Sequence, residues 1–98
     1  MDLNKYPTQH PQVATRTVEG SAVIVLADSG EVTVLNPVGT SVWELADGLR
    51  TVEEIIAAVE AEYDVSPEQA HQDVTAFLLT LVEAGALTMA DRPAPVGD

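Results

Sequence analysis

Gly20-Ser21-Ala22-Val23-Ile24-Val25-Leu26-Ala27-Asp28-Ser29-Gly30-Glu31-Val32-Thr33-Val34-Leu35-Asn36-Pro37 is the stretch on which the fold turns. Its first half is β-branched and apolar on both faces, which suits a central strand at 22–27. Asp28-Ser29-Gly30-Glu31 then supplies turn chemistry, and Val32 to Leu35 returns as a second short strand. Upstream, Gly20-Ser21 turns the chain out of another β-rich run, Val13 to Glu19. These three runs predict an antiparallel meander with 22–27 in the middle. At Asn36-Pro37 the apolar period changes from two to nearly four, because Asn is a good N-cap and Pro fits the first helical position, where the missing N–H costs nothing.

A short helix therefore runs from Asn36 to about Asp47 and stops at Gly48, with Val38, Val42 and Leu45 on one face. Thr51-x-x-Glu54 is a capping box, and Val52, Ile55, Ile56, Val59 and Tyr63 follow it at helical spacing. Ser66-Pro67-Glu68-Gln69 opens a third helix whose stripe is Ala70, Val74, Phe77, Leu78 and Leu81, ended by Gly85. Ala86 to Met89 extends briefly. Three strands followed by three helices predict one α+β domain over 13–90. The Pro- and polar-rich ends, 1–12 and 91–98, read as a flexible N-terminal arm and a flexible C-terminal tail.

Charge excludes partners. Sixteen Asp and Glu against four Lys and Arg give the 98-residue chain a formal net charge of −12 and a pI near 4.1. Binding phosphates needs clustered cations, so nucleic acid is excluded, as is an anionic membrane surface. From Thr51 to Asp91 there is no Lys or Arg at all. A helix from this half placed in a DNA groove would bring Glu68, Asp73 and Glu83 to phosphates with no cation beside them, which argues against winged-helix DNA binding. The longest apolar run, Ala22 to Ala27, is far short of the roughly 20 residues of a membrane span. The absence of cysteine removes disulfides and thiolate chemistry and agrees with a cytoplasmic protein.

No catalytic constellation is present, so the chain reads as no enzyme. His10 lies in the arm, and Asp73 follows His71 by two positions, about 200° apart on a helix. No metal site is expected, and no cofactor. The carboxylates of Glu53, Glu54, Glu60 and Glu62 follow polar helix faces, and Ser21, Ser29, Ser41 and Ser66 have turn or cap roles. An acidic carrier protein with Ser29 as its attachment point is opposed by Gly30, which follows it between two β-rich runs rather than opening a helix. What remains is an interaction module. Val32 to Leu35 carries no Pro or Lys to block an added strand. Beside the stripe of the third helix, Asp73, Ala76 and Thr80 form a flank of small and polar residues with room for a guest.

The residues also carry a resemblance. Leu35-Asn36-Pro37-Val38-Gly39-Thr40-Ser41-Val42-Trp43-Glu44-Leu45, then Asp47-Gly48-Leu49-Arg50-Thr51-Val52-Glu53-Glu54-Ile55, then Asp73-Val74 with Phe77-Leu78, Leu81 and Gly85, resemble the PqqD-like family over roughly 13–87. These are recognition elements for precursor peptides in pathways of ribosomally made, post-translationally modified peptides. The resemblance implies a winged-helix-like fold and a non-catalytic chaperone. Such a protein binds the leader segment of a precursor as an extra strand and presents it to a peptide-modifying enzyme, often a radical SAM enzyme. Carried over by position, the leader-binding residues are Glu31, Val32, Thr33, Val34 and Leu35 on the strand, with Asp73, Ala76, Phe77 and Thr80 on the helix. Phe77 counts as core first and pocket floor second. Asn36, Gly39, Trp43, Asp47 and Gly48 match the family pattern but read as cap, packing and turn rather than as binding residues.

The alternative is a structural accessory subunit that docks on an enzyme or forms a homodimer, for which exposed Leu79 is the leading contact. On either reading, the charge predicts Lys or Arg on the leader or on the enzyme surface, and association that weakens with salt.

Overall fold

The structure, a computed structural model, describes residues 1–26 and 29–95. Ala27 and Asp28, at the end of the expected central strand and the start of its turn, lie outside the described residues, as do 96–98 of the tail. The meander forms as β2 (Ala14–Val18), β3 (Ser21–Val25) and β4 (Val32–Val34), in the order β2-β3-β4 with the apolar run at the centre. Ala22, Ile24 and Leu26 alternate into the core, and the intervening Val23 and Val25 are only half-buried. Glu19 and Gly20 make the two-residue β2–β3 turn, with φ of 52° and 83°. Both central residues at positive φ is the type I′ arrangement, whose twist matches that of the strands, and Glu is a costly residue for the first of them.

The helices start where their caps place them. In α1 (Pro37–Leu45) the Asn36 Oδ1 accepts from the Gly39 N–H at 2.7 Å. In α2 (Val52–Tyr63) the Thr51–Glu54 capping box is complete in both directions. In α3 (Pro67–Glu83) the Ser66 Oγ accepts from the Gln69 N–H. Their stripes, with Trp43, Val52, Ile55, Val59, Val74 and Leu78 fully buried, pack on one another and on the inner face of the sheet. No helix among the described residues is long and apolar enough to cross a membrane.

The ends of the chain differ from the expected loose arms. Within 1–12, Tyr6–Gln9 is a strand, β1, and it pairs antiparallel with β5 (Leu87–Ala90), the short extension after α3. The fold thus has a second, two-stranded sheet besides the meander. The physical cause lies in α2. The first turn of a helix has N–H groups with no partner of its own, and here the Val52 N–H donates to the Lys5 carbonyl and the Glu53 N–H to the Leu3 carbonyl. Pro7 is fully buried, its carbonyl accepts from the Gly48 N–H, and Gln9 Nε2 donates to the Trp43 carbonyl at 2.8 Å. At the other end, the Ala94 N–H donates to the Gly48 carbonyl.

One buried hydroxyl joins the two halves of the domain. Leu35 N–H donates to the Ala22 carbonyl, so the reciprocal Ala22 N–H would be expected to return to Leu35. Instead it donates to Thr40 Oγ1 at 3.0 Å, and the Thr40 hydroxyl donates to the Leu35 carbonyl at 3.3 Å. Thr40 is 5% exposed. A buried backbone group left without a partner costs about 1–3 kcal/mol. Thr40→Val should therefore lower the unfolding free energy by about 2 kcal/mol in urea titration, with Thr40→Ser retaining most of it. Glu19→Asn, which tolerates positive φ, should instead raise stability by about 0.5–1 kcal/mol in the same assay.

Candidate functional site

The meander has two edges, β2 and β4, and β4 is the one that leads into α1; its hydrogen-bond phase follows from two observed bonds. Leu26 N–H donates to the Glu31 carbonyl and Leu35 N–H to the Ala22 carbonyl. In an antiparallel ladder the bonded pairs alternate, so Glu31, Thr33 and Leu35 direct their backbone groups to β3. Val32 and Val34 direct their N–H and C=O groups the other way, to the free edge. Of the five strand positions singled out in the sequence, these two hold backbone groups with no partner among the described residues. Leu35 is a core residue, 4% exposed, and Glu31 sits just before the strand with its N–H on Ser29 Oγ. The Val32 and Val34 side chains stand exposed on the face of the sheet away from the helices, at 59% and 67%.

Beyond the C-terminal end of β4 lies a cavity of about 320 Å³ between α1 and α3, lined by Asn36, Val38, Gly39, Val42, Asp73, Ala76 and Phe77. Three of the four helix residues named from the sequence meet there. Asp73 keeps one carboxylate oxygen on Gln69 Nε2 at 2.8 Å and is exposed at the cavity. Phe77 is half-buried and packs against the core while lining the cavity, so it serves both places. Thr80 does not line it. It is exposed, with its hydroxyl donating to the Ala76 carbonyl one turn back.

In the sequence, the α1 side of the cavity carries cap and packing signals alone. Asn36 and Gly39 do cap and pack, and they also form the wall. A Cβ on Gly39 would come within 3.2 Å of the Phe77 ring edge and 3.0 Å of Asn36 Oδ1, so glycine is what lets the ring approach this turn so closely. Val38 is the apolar wall residue beside it. The available signal was the Val38/Val42 face of α1, but which side of α3 it meets is a tertiary fact. Tyr63 holds α1 in place, since its hydroxyl donates to the Pro37 carbonyl at 3.0 Å and lies 2.6 Å from Ser41 Oγ.

On the opposite flank of α3, a shallower groove of about 650 Å³ runs past Leu79, Val82 and Met89 to Met1 and Lys5, and Ala76 borders both. Leu79 is 52% exposed there. Among the described residues no three His, Asp or Glu side chains gather as metal ligands would.

Comparison with solved structures places this arrangement among similar ones. A structure described as TbiB1 in complex with the TbiA(beta) leader peptide superposes with a TM-score of 0.74 at 26% identity, over 93% of this chain and 99% of that one. A lasso peptide synthetase B1 complexed with the leader peptide gives the same TM-score at 23% identity, over 85% of this chain and 98% of that one, which speaks to the fold. No curated protein matches the sequence. The sequence model of the family described as coenzyme PQQ synthesis protein D (PqqD) matches residues 21–87, well over half of the chain, and the protein belongs to that family.

Proposed function

We propose that this protein is a non-catalytic chaperone of a ribosomally made precursor peptide. It binds the leader segment as an added strand on β4 and presents it to a peptide-modifying enzyme, of which a radical SAM enzyme is one type. The observation that carries this reading is the pairing of two features: outward N–H and C=O groups at Val32 and Val34, and a cavity of mixed polar and apolar lining just past them, between α1 and α3. The similarity to TbiB1, whose structure holds a leader peptide, supports it. The cytoplasm, where precursor peptides are made, is the compartment this role requires.

Affinity and selectivity come from different parts of the site. Backbone bonds to Val32 and Val34 accept almost any extended segment, whereas the cavity selects side chains. Its walls, Val38, Val42 and the Phe77 ring, take an apolar side chain, and the Asp73 carboxylate at its edge favours a Lys or Arg nearby in the leader. Glu31 and Asp73 thus give the acidic charge a place on the leader side of the molecule. A structural, dimerising subunit is the competing reading, and the exposed Leu79 in its groove is the observation that favours it. Amide shifts on adding the leader separate the two, clustering at 31–35 and around 36–42 and 73–77 in the first case and around Leu79 in the second.

Two substitutions test the site by calorimetry with a synthetic precursor leader that the wild-type chain binds. Val34→Pro removes an N–H that makes no bond to β3, so the fold should survive while leader affinity falls at least tenfold; unchanged affinity would refute docking on this edge. Gly39→Ala should lower stability by about 1–3 kcal/mol, because the added methyl crowds the capping Asn36 Oδ1 and the Phe77 ring in a buried turn and this outweighs the helix preference for Ala. In the variant that remains folded, leader binding should weaken about three- to tenfold, because the Phe77 ring beside the cavity must give way.

A further inference from the structure

We infer that the outer face of the β2-β3-β4 sheet is the docking surface for the modifying enzyme, and that the bound leader completes this surface as its fourth strand. The inference rests on the leader-binding reading above and concerns a different face of the protein. Cross-strand register puts Val25 and Val32 side by side, Arg16, Val23 and Val34 in the next row, and Val18 beyond them, all on the side away from the helices. Three of the exposed large apolar residues fall here, Val32 at 59% and Val34 at 67% on β4 and Val18 at 50% across β3 on β2, and the half-buried Val23 and Val25 link them over the sheet. A contiguous exposed apolar patch of this kind marks an interaction site.

Charge identifies the occupant. In a chain with sixteen acidic residues, none of the outward positions on these three strands is acidic, and the one charged side chain there is Arg16. A second copy fits poorly. Each copy carries −12, and a face-to-face stack would bring two Arg16 side chains toward one another. A different protein with an apolar patch and an Asp or Glu opposite Arg16 fits well, and the enzyme that receives the leader is the partner whose contact must adjoin β4. Strand geometry makes the two events cooperative. Successive side chains of an added strand point to opposite faces, so while one set faces the helix side, the other lies on the outer face beside Val32 and Val34. The enzyme then reads leader and chaperone as one continuous sheet.

The test uses the full chain, a fluorescein-labelled precursor leader that it binds, and the purified enzyme that modifies that precursor. Val18→Asp and Arg16→Glu lie on β2, two strands from the leader edge. Both should leave leader affinity within twofold, which also certifies the fold, and both should weaken enzyme association at least tenfold. Saturating leader should strengthen association of the wild-type chain with the enzyme several-fold. Enzyme affinity unchanged in both variants, with leader binding lost only in Val34→Pro, overturns the docking face and leaves the leader site standing. Leader binding that survives Val34→Pro overturns the functional reading itself. A concentration-dependent dimer that Val18→Asp dissociates in light scattering assigns the face to a second copy and overturns the inference.

Discussion

The arrangement of this domain depends on the hydroxyl of Thr40 standing where a backbone bond would otherwise close the β3–β4 ladder. Ala22 and Leu35 are bonded in one direction directly and in the other through Thr40. The ladder ends there, and the residue that ends it belongs to the second turn of α1. The sheet and the first helix therefore cannot shift relative to each other without breaking two buried hydrogen bonds, a loss the low dielectric of the core makes expensive. Every wall of the cavity follows from that anchor. With α1 fixed on β3 and β4, Asn36, Val38 and Gly39 face α3, and the Gly39 backbone meets the Phe77 ring at the closest approach its missing side chain allows. Tyr63 then ties the start of α1 to the end of α2. The edge of β4 and the cavity are held in fixed relation because they are two ends of one short segment, 32–39, pinned in the middle.

What could be read from the sequence is what local physics decides. The Asn36, Thr51 and Ser66 caps are short-range signals and place all three helices within a residue or two. The doubly apolar run at 22–26 announces the middle strand, yet only its Ala22, Ile24 and Leu26 face is covered by the helices, and Val23 and Val25 lie half-buried on the open outer face. The sheet of β1 and β5 was illegible for the opposite reason. Its strands are four residues each, joined across almost the whole chain, and Tyr6-Pro7-Thr8-Gln9 shows no alternation and contains a residue that strands usually reject. It forms because the start of α2 needs acceptors and the Leu3 and Lys5 carbonyls meet that need. The same division holds at the site. Asp73, Ala76 and Phe77 share a flank by helical spacing alone, whereas Asn36 and Gly39 had a sufficient local explanation that concealed their second role.

The sheet separates two kinds of surface. Glu31 and Asp73 border the edge and the cavity, and the acidic faces of α2 and α3 lie on the helical side, while the outer face of the meander is apolar with a single arginine. Net charge of this size keeps a small protein soluble in spite of an exposed apolar patch, because like-charged copies repel at the distances where apolar contact would begin. The patch can then stay uncovered until a partner of complementary character arrives.

That separation bears on how a sequence-tolerant edge becomes selective. Two backbone positions on β4 offer hydrogen bonds to any extended segment, and each such bond exchanged for one with water is worth only about 0.5–1.5 kcal/mol. Ordering a flexible leader costs roughly 2–5 kcal/mol, so the edge by itself comes close to break-even. Filling the cavity with one apolar side chain contributes about 1.5–3 kcal/mol more, enough to tip the balance. On the proposed function, discrimination among peptides resides in the few side-chain atoms that Val38, Val42, Phe77 and Asp73 can touch, and a cavity built around a glycine is sensitive to single methyl groups. In the proposed function, the edge holds the leader in register and the cavity decides which leader is held.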